Sequence, residues 1–380
     1  MRERVLAIRT RLFPPDHPDL LKAKQGLAVT RYALGDLAGA NELFEAVLEA
    51  RTRLLPPDHL ELLVAKNDLA ATRVGLGDLA GANELFEAVL EAKTRLLPPD
   101  HLELLGAKQN LTVTRKAIGD LAGASKLEEA VLEARTRLLP PEHPDLLAAK
   151  LNLAGTRYSL GDRDGARELF EAVHEVWTRL LPPEHHHLLT AKLNLAVTRK
   201  DLGDLAGARE LEEAVLEVWT RLLPPDHPDL LAAKLNLAAT RKELGDLGGA
   251  QELEEAVLQA RMRMLTPDHP DLLKAKQNLA ATRKELGDFA GARELEEAVL
   301  EARTRLFPPE HPDLLAAKLN LAGTRAGLGD LAGARELEEA VHEAWTRLLP
   351  SDHGIEARLR VARHRERQRL STTPFARLTS

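Results

Sequence analysis

The sequence has 380 residues, 44% of them hydrophobic but only 3% aromatic, with a formal net charge of −7 and no cysteine. Without cysteine there is no disulfide framework, Cys-based metal site or thiol nucleophile. The N-terminal MRERVLAIRTRLF lacks an apolar stretch long enough for a signal peptide, and no apolar run approaches the ~20 residues of a membrane span, so a cytoplasmic protein is expected.

The chain opens on half a unit. Leu6 matches Leu48, and Arg11 to His17 matches Arg53 to His59, so residues 1–16 read as the second helix of a repeat whose first helix is missing. This half-helix is expected to cap the first full hairpin; an open apolar side that accepts another chain is the competing expectation. A Gly-Asp pair then recurs at Gly35, Gly77, Gly119, Gly161, Gly203, Gly245, Gly287 and Gly329, spaced by 42 residues with no insertion or deletion. Residues 17–353 are therefore an array of repeats rather than a globular enzyme.

His227 to Asp268 carries the unit in its clearest form. Leu230, Ala233, Leu237, Ala238 and Leu244 fall three, four and seven apart, on one side of a helix A spanning Pro228 to Leu244. Pro228 suits a first helical position, Asp229 favours the positive end of the dipole, and Gly245 can take the left-handed conformation that closes a helix. Asp246 is the predicted N-cap of helix B, whose stripe is Leu247, Ala250, Leu253, Val257, Leu258 and Met264. So short a join makes an antiparallel hairpin, with Ala238, Gly249 and Ala250 small where the helices meet. One hairpin cannot bury its apolar faces alone; neighbouring repeats must stack.

Charges enter the apolar stripe at two registers. Phe44, Phe86 and Phe170 occupy a mid-stripe position of helix B that elsewhere is Glu128, Glu212, Glu254, Glu296 and Glu338. On helix A, Arg241 and its seven equivalents lie one turn beyond the core Leu, with Lys234 on the same side. Buried charges need partners, so Arg241 is expected to pair with Glu254 in its own repeat or across to a neighbour, while Lys234 lays its methylenes over the core. A binding surface for acidic or phosphorylated ligands is the alternative reading.

LNLA, a short Arg-containing spacer, LGDLAGA and an apolar helix ending in LLPPDHPD together resemble the tetratricopeptide repeat, in the 42-residue form of kinesin light chains and bacterial arrays. The resemblance covers nearly all of the chain. It implies an all-α, right-handed superhelical solenoid of eight antiparallel helix hairpins with partial repeats at both ends. It also implies a non-enzymatic scaffold whose helices A line a concave groove for an extended peptide of a partner protein. In that groove the family commonly places an Asn against the ligand main chain, here Asn110, Asn152, Asn194, Asn236, Asn278 and Asn320. A carboxamide both donates and accepts, which suits an extended backbone; the competing reading is that the Asn simply tolerates the rim or hydrogen-bonds the adjacent repeat. Leu193 and Leu235 beside this ladder, with Lys200, Lys242 and Lys284, suggest a ligand of alternating apolar and acidic residues. A self-assembling module joined through its array ends, or a sensor whose effector is encoded separately, are the alternatives.

Other registers read as structural. Nine histidines, one per repeat immediately before helix A, are too far apart to chelate an ion and are expected in loops or caps. His185-His186-His187 is the one cluster, read as an adventitious binder rather than a metal site. Trp177, Trp219 and Trp345 share a late helix-B register and are expected to pack between repeats. Paired carboxylates such as Glu254-Glu255 are sequence neighbours that do not face each other across a cleft, and no phosphate loop or metal-ligand motif appears, so no catalytic site and no cofactor are expected. The last thirty residues hold seven arginines against three acids. Residues 354–380 are expected to form a basic capping helix and a disordered tail; nucleic-acid contact is not expected, because the tail lacks stacking aromatics and the array is acidic.

Overall fold

The computed structural model describes residues 2–348 and forms two compact units, Met1–Pro182 and a second from Pro183 onward. The first contains α1 (Arg2–Leu12), α2 (Pro18–Ala33), α3 (Leu37–Leu54), α4 (Leu60–Leu76), α5 (Leu79–Leu96), α6 (Leu102–Ala117), α7 (Leu121–Leu138), α8 (Pro144–Leu160) and α9 (Arg163–Leu180). The second contains α10 (His186–Asp201), α11 (Leu205–Leu222), α12 (Pro228–Glu243), α13 (Leu247–Met264), α14 (Pro270–Glu285), α15 (Phe289–Leu306), α16 (Pro312–Gly327) and α17 (Leu331–Leu348). There is no strand among the described residues, and within each unit every helix packs on the next. The predicted capping helix and tail, with His353, the last of the nine histidines, lie outside the described residues.

Each hairpin closes as its sequence dictates. At the α12–α13 join, Gly245 takes φ 84° and its N–H bonds the Lys242 carbonyl at 2.9 Å, while the Asp246 N–H reaches the Arg241 carbonyl at 2.8 Å. That 6→1 and 5→2 pair satisfies carbonyls the helix end would otherwise leave open. Asp246 Oδ1 then accepts from the Gly249 N–H at 2.9 Å as the N-cap of α13. Gly249 has a specific reason to be glycine: a Cβ there would run into the Asp246 carboxylate and the Arg241 guanidinium. At the other end, His227 caps α12, its Nδ1 accepting from the Asp229 N–H at 3.2 Å; His59 and His143 do the same. These histidines are caps, as expected.

The core crosses from one repeat into the next. Leu231 on α12, Val257 and Leu258 on α13, and Leu272 and Leu279 on α14 form one buried cluster. At ~25 cal/mol per Å² of apolar area, such shared clusters supply what a lone hairpin lacks. Trp219 packs on the cluster of Leu189, Val215 and Val218, and Trp345 on the cluster that includes Leu315 and Val341. α1 packs on α2, with Arg9 donating to the Asp19 carbonyl at 2.7 Å.

Candidate functional site

Helix A is bonded to its own hairpin and to the neighbouring repeats, and its remaining surface is the candidate binding face. The Arg register is structural, but with a different partner from the one expected. Arg241 Nη2 meets Glu213 of the preceding repeat at 2.9 Å, and its Nε lies 3.6 Å from Asp246. The same two-way pairing ties Arg115 to Glu87 and Asp120, and Arg283 to Glu255 and Asp288. Arg241 does not meet Glu254, because that carboxylate is taken by Lys242 Nζ at 2.9 Å.

Glu254 is 2% exposed, and Lys242 reaches it across the hairpin. Lys284 does the same for Glu296 at 2.8 Å, and Lys116 for Glu128 at 3.3 Å. Each of these buried glutamates keeps its Oε2 without a hydrogen-bond partner among the described residues. In the fifth repeat Lys200 turns instead to Glu243 of the next repeat, at 2.7 Å. Glu212 is consequently less well served: burial raises its pKa against the opposing pull of a Thr240 hydrogen bond and the Lys200 charge. The sequence carries a signal for this pairing. Lys stands at 116, 200, 242 and 284 only in repeats whose helix B has Glu at the stripe position, and Tyr32, Val74 and Tyr158 go with Phe44, Phe86 and Phe170.

Of the predicted carboxamide ladder, Asn110 is engaged: its Nδ2 donates to Asn67 Oδ1 at 2.9 Å across the repeat boundary. Gln25 donates likewise to Asp68 at 2.8 Å. Asn152, Asn194, Asn236, Asn278 and Asn320 are exposed or half-buried, and their carboxamides make no hydrogen bond within the described residues. Only their backbone carbonyls are used, as where Thr240 Oγ1 donates to Asn236 at 3.2 Å. For Asn236 and Asn278 the preceding repeat has Leu193 and Leu235 at the register where Asn67 meets Asn110, and a leucine can neither donate nor accept. Both leucines are half-buried against the core.

Beside these positions lie small or β-branched residues that leave the face open, including Val113, 61% exposed, and Val197, 41% exposed. In the first unit the face is recessed. One hollow of about 280 Å³ is lined by Gln109, Val113, Lys116, Glu128, Val131 and Asn152. Another, of about 480 Å³, lies between α4, α5 and α6 around Val64, Asn67, Lys93 and Asn110. Mixed apolar walls with a few amides on the rim bind polypeptide better than they bind a charged small molecule. No helix of the described residues is long and apolar enough to cross a membrane.

Comparison with known proteins places these repeats. The tetratricopeptide repeat family matches residues 23–95, 145–218 and 188–263, and a second description of the same repeat matches residues 104–145 and 272–313. Among solved structures, nearly identical TPR-like repeats assigned to a kinesin light chain of Podosopora anserina share 30% identity, with a TM-score of 0.51, over 55% of this chain and all of that one. The C-terminal part of a TPR repeat-containing protein from Cytophaga hutchinsonii aligns over 77% of this chain and 98% of that one, at 15% identity and a TM-score of 0.53. A signal transduction ATPase with a tetratricopeptide repeat sensor from Pyrococcus horikoshii aligns over 91% of this chain and 52% of that one, at 12% identity and a TM-score of 0.56. The last two speak to the fold alone. No curated protein matches the sequence.

Proposed function

This chain belongs to the tetratricopeptide repeat family, and from that premise we propose that it is a non-enzymatic scaffold that holds an extended segment of a partner protein against its helix-A face. The reading takes the protein to work in the cytoplasm, in keeping with its cysteine-free sequence. The observation that carries it is the set of unengaged carboxamides, Asn194, Asn236, Asn278 and Asn320 in the second unit and Asn152 in the first, one per repeat at one register. Each offers a donor and an acceptor to a ligand backbone without prescribing its side chains. Leu193 and Leu235 supply apolar contact between the amides. Lys242 and Lys284 lie on this face already neutralised by Glu254 and Glu296, and Lys200 by Glu243, so their role is to hold the wall rather than to demand an acidic ligand.

The test uses peptides selected from a random library on the wild-type chain. A variant carrying Asn194→Ala, Asn236→Ala, Asn278→Ala and Asn320→Ala should melt at the same temperature, because these amides bond nothing among the described residues. It should bind the selected peptides at least ~10-fold more weakly, a loss of ~1.4 kcal/mol spread over four contacts. Undiminished affinity at equal stability would remove the carboxamides from the site.

A further inference from the structure

One helix-A register, just before the position that holds Asn110 and Asn278, has glutamine at Gln25, Gln109 and Gln277. Two of these are spent inside the protein: Gln25 Oε1 accepts from Arg51 at 3.0 Å, and Gln277 Oε1 from Arg303 at 3.1 Å. Gln109 is not. Arg135, in the matching place on α7, donates to the Asp145 carbonyl at 2.8 Å, and the Gln109 carboxamide makes no hydrogen bond within the described residues.

Two further acceptors stand open around it. Gln109 lines the hollow of about 280 Å³ together with Lys116, Glu128 and Asn152, so α6, α7 and α8 each contribute a polar side chain to one recess. The Asn152 carboxamide is unengaged. Glu128 is 7% exposed, and its Oε2 has no hydrogen-bond partner among the described residues. Its cation is loosely held: Lys116 Nζ lies 3.3 Å from Oε1, against 2.9 and 2.8 Å for Lys242 on Glu254 and Lys284 on Glu296, and Lys116 is the most exposed of the three lysines. A buried carboxylate with one oxygen unbonded, beside two unengaged amides, is a set of acceptors short of donors.

We propose that this hollow receives an arginine side chain of the partner segment, so that the third repeat selects a ligand carrying a basic residue. The inference rests on the reading of the helix-A face as a peptide surface. A guanidinium has five N–H donors in a fixed plane and no acceptor, and it is less strongly hydrated than an ammonium, which suits a recess with three acceptors on its walls. Glu128 Oε2 takes the charge-assisted bond, and the carboxamide oxygens of Gln109 and Asn152 take the remaining donors. Val113 and Val131 offer apolar surface to the methylenes behind the head. The volume lies below the ~300–1,000 Å³ of small-molecule sites, as a single side chain requires. Lys116 opposes a second cation only in part, since it is 38% exposed and already paired with Oε1, and the net charge of −7 favours the approach of a basic segment.

Parallel selection of peptides from one random library, on the wild-type chain and on Glu128→Gln, tests this. Glutamine keeps the shape of the side chain and can still accept from Lys116, so the variant should melt close to the wild type. Arginine should be enriched at one position of the peptides taken by the wild type and not of those taken by the variant. In a peptide so selected, Glu128→Gln in the protein and citrulline for arginine in the peptide should each weaken binding at least ~10-fold, the low end for a hydrogen bond to a charged group. The two changes together should cost little more than either alone, because they remove the same contact. Citrulline alters the ligand only, so that arm stands whatever Glu128→Gln does to folding. Peptides that bind without arginine enrichment, or whose losses from the two changes multiply, would overturn the arginine site and leave the peptide face standing; a library from which the wild type selects nothing would overturn both.

Discussion

In the unit that ends at Pro182, three of four repeats place a phenylalanine in the helix-B stripe, and Phe44 and Phe86 pack against Leu69 and Leu111 of the following repeat. From Pro183 on, every repeat has glutamate at that position, and in the sixth and seventh a lysine from the facing helix neutralises it. One hairpin geometry thus accepts either an apolar plug or an ion pair. The two are not equivalent energetically. The phenylalanine gains by leaving water, whereas each charge of the pair loses several kcal/mol of hydration that only good geometry repays, and Glu254 and Glu296 each leave one oxygen unbonded. The second unit therefore carries an internal arrangement that stabilises little and is costly to break.

Breaking one half of the pair gives the largest effect. Lys242→Met should destabilise by ~3–5 kcal/mol, because Glu254 stays buried without its counter-charge; the double variant Lys242→Val/Glu254→Phe, which copies Val74 and Phe86, should be neutral or up to ~4 kcal/mol more stable than wild type. Chemical unfolding midpoints decide both, and a double variant weaker than Lys242→Met would show that the two units are packed for different plugs. A smaller effect separates the ion pairs that tie repeats together from those that decorate a single helix. Arg241, held between Glu213 and Asp246, should cost ~1 kcal/mol when replaced by Ala, whereas Arg293→Ala, which loses only a 3.9 Å contact with Glu297, should cost about nothing. Equal melting temperatures for the two variants would contradict the account of the Arg register.

The fold was legible because its determinants are local and repeated: a glycine that must turn left at Gly245, an aspartate that must cap at Asp246, and a 3.6-residue apolar period between them. The structure matches the predicted helix A to within a residue, Pro228–Glu243 against Pro228 to Leu244. The pairing of charges was less legible. Periodicity places Arg241 and Glu254 on the apolar sides of their helices, but which carboxylate each cation reaches depends on side-chain length and on the offset between repeats, which no single helix encodes. The match between Lys and Glu repeats held that information, as did the amides at Asn67 and Asn110 that bond each other across a boundary.

Whether partners approach through the helix-A face is tested most directly by a photo-crosslinking residue placed at Val197, beside Asn194 on that face, and separately at Glu252, on the exposed side of α13. A peptide selected on the wild-type chain should be trapped from Val197 and not from Glu252. Capture from Glu252 with none from Val197 would contradict the account and move the binding surface to the helix-B side.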